Sequence, residues 1–298
     1  MTLSDQAQFD QAYDALLQQW PNRQSLDVTT AHGTTCVHIC TPASGADEVP
    51  VVLLSGGGAT STAYTPIVGA LAAHRRVIGV DLICDLGRSR PVAGRPHDTA
   101  DLLNWLAAVL DELGVERIDL VGHSYGAMIA LAFALGNHRD RVRNLVLLDP
   151  SSCFAGMRAG YLWHALPTLL RPSSARQRRF LAWETQHADL TAAGLDADWV
   201  TVACAGAALP TPKLIVPKRP KAAQLGGLTA ALTVILAPRS RIHNPATIAD
   251  RVRASIPAAR VITLTAGSHH TLPLAPADEL ADALSAALTA GMQQQPDQ

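Results

Sequence analysis

The chain has 298 residues, of which 48% are apolar and 16% charged, and its formal net charge is −1. That composition supports a large buried core and argues against nucleic acid or another polyanion as the main partner. The low count of four Phe and four Tyr argues against stacked-base recognition as well.

The polar start, Met1-Thr2-Leu3-Ser4-Asp5-Gln6, lacks the basic, apolar and small-residue regions of a secretory signal. The longest apolar runs are too short to span a bilayer. A cytoplasmic monomer or homodimer with no membrane partner is expected. The five cysteines (36, 40, 84, 153 and 204) have no paired metal-like spacing, so they read as reduced, packed side chains.

Asp5 to Trp20 reads as a helix, with Phe9, Tyr13, Leu16, Leu17 and Trp20 at helical spacing. Gln24–Asp27 and Thr35–Thr41 read as short strands around a turn at His32-Gly33. Nearly continuous apolar runs follow at Val49–Leu54, Arg76–Asp81, Arg117–Val121 and Arg143–Leu148, as suits strands covered on both faces of a parallel sheet. A helix over Thr99–Leu113, with Asp98 as its cap and Gly114 past its end, sits between two of them. Strand–helix alternation of this length predicts β-α-β units, hence an α/β fold with a mostly parallel central sheet flanked by helices.

The alternation stops after Asp149 and resumes with strands at Leu232–Leu236 and Arg260–Leu264 and a helix from Pro276 to Leu288. Residues 153–222, with several prolines and a basic run from Arg171 to Arg179, read as a helical cap over the end of the sheet. The expected core is then residues 1–152 and 223–298, with disorder over Gln293–Gln298.

The chemistry points to Val121-Gly122-His123-Ser124-Tyr125-Gly126, where a strand ends and a helix begins. A nucleophile there projects from a sharp turn, and flanking glycines avoid collisions within it. The following helix turns its positive end toward developing negative charge. Ser55-Gly56-Gly57-Gly58, directly after an earlier strand, fits an oxyanion loop. A nucleotide loop is the rival, but the Walker lysine is missing and the glycines do not match a dinucleotide fingerprint.

With these motifs the sequence resembles the α/β-hydrolase superfamily, in the branch with a helical cap, from about Val49 to about Leu288. Val80-Asp81-Leu82 with Gly87-Arg88-Ser89 resembles the segment after the family's fourth strand. Leu264-Thr265-Ala266-Gly267-Ser268-His269 resembles the late segment carrying the catalytic base. The resemblance implies Ser124 as nucleophile, His269 as base with His270 as the alternative, and the amides of Gly57 and Tyr125 as oxyanion donors. His123 would pack beneath the turn, and Asp81 would fix a loop. Two departures stand out. Ser55-Gly56 replaces the family's frequent His-Gly, and Ser240 occupies the usual position of the acid. Some relatives carry the acid one strand earlier, which here is Asp149; the alternative for Asp149 is a turn cap before Pro150.

The implied activity is hydrolysis of a small hydrophobic carboxylic ester, thioester or lactone through an acyl-enzyme, without cofactor or metal. Two readings stay open beside it: a biosynthetic acyl-transfer, cyclising or carbon–carbon hydrolase, and a non-enzymatic ligand-binding protein on the same fold. Apolar residues from Phe154 to Trp183 are expected to cover a pocket over the serine.

Overall fold

The computed structural model describes residues 4–43 and 47–290. The expectations for Met1 to Leu3 and for Gln293–Gln298 lie outside the described residues. Among the described residues nine strands form one sheet: β1 (Arg23–Thr30), β2 (Gly33–Cys40), β3 (Asp47–Leu54), β4 (Arg75–Val80), β5 (Arg90–Pro91), β6 (Ile118–His123), β7 (Val142–Leu148), β8 (Ala231–Leu236) and β9 (Arg260–Thr263). Their order is β1-β2-β4-β3-β6-β7-β8-β9, with the two-residue β5 beside β2. β1, β2 and β4 pair antiparallel, and every pairing from β4 through β3 to β9 is parallel.

The parallel strands read as unbroken apolar runs because helices cover both faces. Along β3, Val52 and Leu54 join one core cluster while Val51 and Leu53 join the other; Leu147 and Leu148 of β7 divide in the same way. The first cluster packs under α3 (Thr99–Glu112), α4 (Tyr125–Leu135) and α9 (Pro245–Ser255). The second packs under α1 (Asp5–Gln18), α2 (Thr65–Ala72), α7 (Ala197–Gly206) and α10 (Ala277–Ala290).

The local signals behave as their chemistry dictates. Asp98 Oδ1 accepts from Asp101 N at 2.9 Å at the start of α3, and Gly114 follows it at φ +64°. The first hairpin is longer than the sequence suggests: its strands pair from Arg23 opposite Cys40 to Thr30 opposite Gly33. A Cβ at Gly33 would collide with the Arg90 carbonyl, so this glycine lets β5 approach. Between residues 153 and 222 lie α5 (Ala159–Leu170), α6 (Ser174–Thr185), α7 and the one-turn α8 (Ala222–Leu225), with no strand among the described residues. α7 packs against α1, while α5 and α6 meet through Tyr161, Ala165 and Phe180.

Two buried polar networks pin the layers. On the α1 side, Tyr13 Oη donates to Asp81 Oδ2 at 2.7 Å and lies 2.7 Å from His38 Nε2. Asp81 Oδ1 also accepts from the backbone N and Oγ of Ser61 at 2.9 and 2.7 Å. In the second network, on β6, the fully buried Asp119 accepts from Arg75, from Arg143 Nε and Nη2, and from Asn144. Removing Asp119 takes a fully buried counter-charge away from two largely buried cations. Asp119→Ala is expected to lower unfolding free energy by about 3–5 kcal/mol. Urea unfolding with a shifted midpoint and unchanged slope checks this.

Candidate active site

Parallel order reverses between β3 and β6: the chain runs outward from β3 to β4, then returns to the other side of β3. Ligand crevices form at such a switch point, outside the carboxyl ends of the strands. The glycine loop follows β3, and Ser124 follows β6. The pairing of His123 with Leu148 sets Ser124 and Asp149 at neighbouring strand ends, and Leu148 pairs in turn with Ile235 of β8. Both residues are strained. Ser124 has φ +51° and Asp149 φ +39°, in the left-handed region that side chains avoid. Backbone bonds hold them there: Ser124 N donates to Leu148 O at 3.1 Å and Asp149 N to Ile235 O at 2.7 Å.

The turn around Ser124 leaves no room for side chains at its flanks. A Cβ at Gly122 would strike the Gly126 backbone, and one at Gly126 would strike the carbonyls of Leu54 and Ser55. A Cβ at Gly56 would come within 2.9 Å of His123 Nδ1 and 3.3 Å of Ser124 Cβ. The glycine loop is thus pressed onto the turn, with Gly57 beside Tyr125. Asp85 holds its far side by accepting from Gly58 N at 3.0 and 3.1 Å. Burial raises the Asp85 carboxyl to about 7, against the opposing pull of the Leu86 and Gly58 amides.

His269 is brought to both expected partners. Its Nε2 lies 2.8 Å from Ser124 Oγ and its Nδ1 2.6 Å from Asp149 Oδ2. A carboxylate only accepts, so Nδ1 donates and Nε2 is left to accept the serine proton. His270, the alternative, instead meets Tyr161 Oη at 3.1 Å through its Nε2. Ser240, at the usual position of the acid, donates to Asp149 Oδ2 at 2.6 Å. The residue there supports a carboxylate arriving from the neighbouring strand. Asp149 Oδ1 accepts from Ala237 N at 3.2 Å and from His243 Nε2 at 3.0 Å. Burial alone would raise the Asp149 carboxyl, but His243 and His269 outweigh it and hold the group well below the usual carboxylate range.

Two residues that sequence reasoning did not assign complete the setting, His243 and Glu184, and His123, expected to pack beneath the turn, also acts as a clamp. Glu184, fully buried on α6, accepts from His269 N at 2.9 Å, His270 N at 3.1 Å and Ser268 Oγ at 2.7 Å. His123 Nε2 donates to the His269 carbonyl at 3.0 Å, so the backbone of His269 is gripped on both sides. Glu184 and His243 carried no motif; a lone carboxylate or histidine in a helix or loop is silent in sequence. Of the apolar residues expected over the serine, Tyr161 comes near the site, its ring centroid 6.1 Å from that of His269. Leu162, Trp163, Leu166, Leu169 and Leu170 are exposed instead and cover nothing. The recess above Ser124, lined by Gly56, Gly57, Trp199, His270 and Leu272, has a volume of ≈ 20 Å³. That is room for roughly one water, or for a carbonyl group.

Comparison with known proteins follows the same lines. A model described as the alpha/beta hydrolase family matches residues 51–283. An uncharacterized carboxylesterase, nap, of Bacillus subtilis is 33% identical over 169 residues, 55% of this chain and 54% of its own. Carboxylesterase YbfK of the same organism is 35% identical over 148 residues, 49% and 48% of the two chains. The chain thus matches about half the length of these curated relatives. Among solved structures, naproxen esterase (carboxylesterase NP) of B. subtilis superposes with a TM-score of 0.82 at 23% identity, covering 96% of this chain and 99% of that one. Carboxylesterase CesB (YbfK) gives 0.84 at 21% identity with the same coverage. At these identities the structural likeness concerns the fold.

The buried His123 makes acid sensitivity predictable. Burial, and then the neighbouring His269, lower it from 6.5 to about 3. Between those values the unfolded chain binds the proton that the folded chain refuses, so stability falls as pH drops below 6.5. Between pH 6.5 and 4.5 this group removes about 2–3 kcal/mol, at about 1.4 per pH unit. Urea titrations at both pH values should show His123→Asn losing less stability than wild type over that interval; equal losses would contradict the assignment.

Proposed function

The chain belongs to the α/β-hydrolase family, and on that premise we propose that it is a serine hydrolase of small carboxylic esters acting through an acyl-enzyme. The observation that carries this reading is the unbroken line from Ser124 Oγ through His269 to the buried Asp149, at 2.8 and 2.6 Å. The carboxylesterases among its relatives support the ester as substrate class. With an acid hydrogen-bonded to His269, the absence of a carboxylate at position 240 no longer favours a non-enzymatic role.

In the proposed mechanism Ser124 Oγ attacks the ester carbonyl as His269 Nε2 takes its proton. The imidazolium that forms faces a carboxylate already ionised by its surroundings, so no reorganisation is needed as charge develops. The amides of Gly57 and Tyr125 receive the oxyanion, the latter aided by the positive end of α4. His269 then gives its proton to the departing alkoxide. Water, activated by the same nitrogen, attacks the acyl-enzyme and releases the acid. No step calls for a cofactor.

Residues 153–222 act as the cap in this scheme, because Glu184 of α6 bonds the backbone of the base and Tyr161 of α5 stands beside it. The small recess favours short acyl groups, the rest of the ester lying outside it. We assign the protein to the cytoplasm, where its five buried, unbridged cysteines stay reduced.

The test is turnover of p-nitrophenyl esters. Acetate and butyrate esters should be hydrolysed with kcat/KM well above that for palmitate. Ser124→Ala and His269→Ala should each lose about 10⁴-fold or more in kcat. Wild-type turnover by Ser124→Ala would remove the serine from the mechanism.

A further inference from the structure

α5 buries one side and leaves the other bare. Tyr161 and Ala165 point inward, whereas Leu162, Trp163, Leu166, Leu169 and Leu170 are 43, 72, 40, 69 and 71% exposed. At 100° per residue these five fall within an arc of about 120°, a single apolar stripe along the helix. Five large apolar side chains in one exposed stripe form a patch of the kind that marks an interaction surface.

Charge selects the occupant. From Pro150 to Trp183 the chain contains five arginines, 158, 171, 176, 178 and 179, and no Asp, Glu or Lys. Arg158 and Arg171 stand at the two ends of α5. Arg176 bonds the Arg171 carbonyl at 3.0 Å, which brings the start of α6 to the same end of the stripe. Arg178 and Arg179 are exposed on α6. A second copy docking through this face would set the arginines at the ends of the stripe against themselves, because a twofold contact is self-complementary. An anionic lipid surface instead takes the stripe into its acyl boundary and the guanidinium groups onto its phosphates. Trp163, the most exposed of the five, is the residue type favoured at that boundary.

We propose that α5 and the arginines at its ends form an interfacial docking surface for anionic lipid bilayers. The expectation of no membrane partner concerned spanning length, and among the described residues no helix is long and apolar enough to cross a membrane. A helix lying in the interface needs no such length. Docking there would hold the site, which lies under Tyr161 on the inner side of the same helix, close to esters dissolved in the bilayer.

Flotation of the full chain with vesicles tests this. Vesicles of equimolar phosphatidylglycerol and phosphatidylcholine should carry the protein at low salt and release most of it at high salt; phosphatidylcholine alone should carry little. Leu169→Ser with Leu170→Ser should lower the partition coefficient by at least about tenfold, since one buried leucine alone contributes on that order. Both sites are exposed, so the melting temperature should be that of wild type. Should the double variant melt lower, a second readout decides: brominated lipid should quench tryptophan emission in wild type and much less in Trp163→Phe. Ser124→Ala should bind vesicles as wild type does, which separates docking from catalysis. Failure of the wild-type chain to float with anionic vesicles would overturn the proposal. So would a concentration-dependent dimer that the double serine variant abolishes, since the stripe would then be covered by a second copy.

Discussion

A carboxylate with no exposed surface, Asp149, accepts hydrogen bonds from two histidines, a serine and a backbone amide, and the rest of the site is arranged around it. An isolated charge buried this deeply would take up a proton instead. These four donors, with His243 and His269 foremost, outweigh that burial and keep it ionised. Its position follows from sheet register. β7 lies between β6 and β8, so the residue just past its end stands between the serine turn and the loop after β8. From there, at positive φ, its side chain reaches Ser240, His243 and His269.

From this anchor the geometry propagates outward. His269 is oriented at its ring by Asp149 and at its backbone by Glu184 and His123, leaving Nε2 facing Ser124 Oγ. The strain at Ser124 is retained because the glycines around it permit contacts that any Cβ would forbid. Preorganisation of this kind is what electrostatic catalysis requires: dipoles and charges in place before the reaction begins. Glu184 also ties the helices after β7 to the loop that carries His269, so their seating bears on the site.

Much of this arrangement was legible in the sequence, for physical reasons. Continuous apolar runs betray strands covered on both faces. Glycines at 122 and 126 betray a turn with no space. Asp98 and Gly114 bracket a helix. Asp149 was reached through the family resemblance, as the residue one strand before Ser240, which stands where the family's acid usually lies. What was not legible depends on contacts between distant segments. Glu184 lies 85 positions before His269, and His243 lies 94 after Asp149. Nothing local distinguishes either from an ordinary surface side chain. The aromatic and leucine residues of α5 looked like a pocket lining because periodicity gives a helix its apolar face without saying what that face meets.

The central claim is that Asp149, and not a residue after β8, makes His269 a base able to activate Ser124. The rate at which a fluorophosphonate labels Ser124 reports this activation without dependence on substrate preference, with mass spectrometry identifying the modified peptide. The account predicts that Asp149→Asn, which preserves size but removes the charge and permits the wrong imidazole tautomer, slows labelling by about 10³–10⁴-fold. Labelling of Asp149→Asn within about threefold of the wild-type rate, far short of the loss expected of a triad acid, would contradict it.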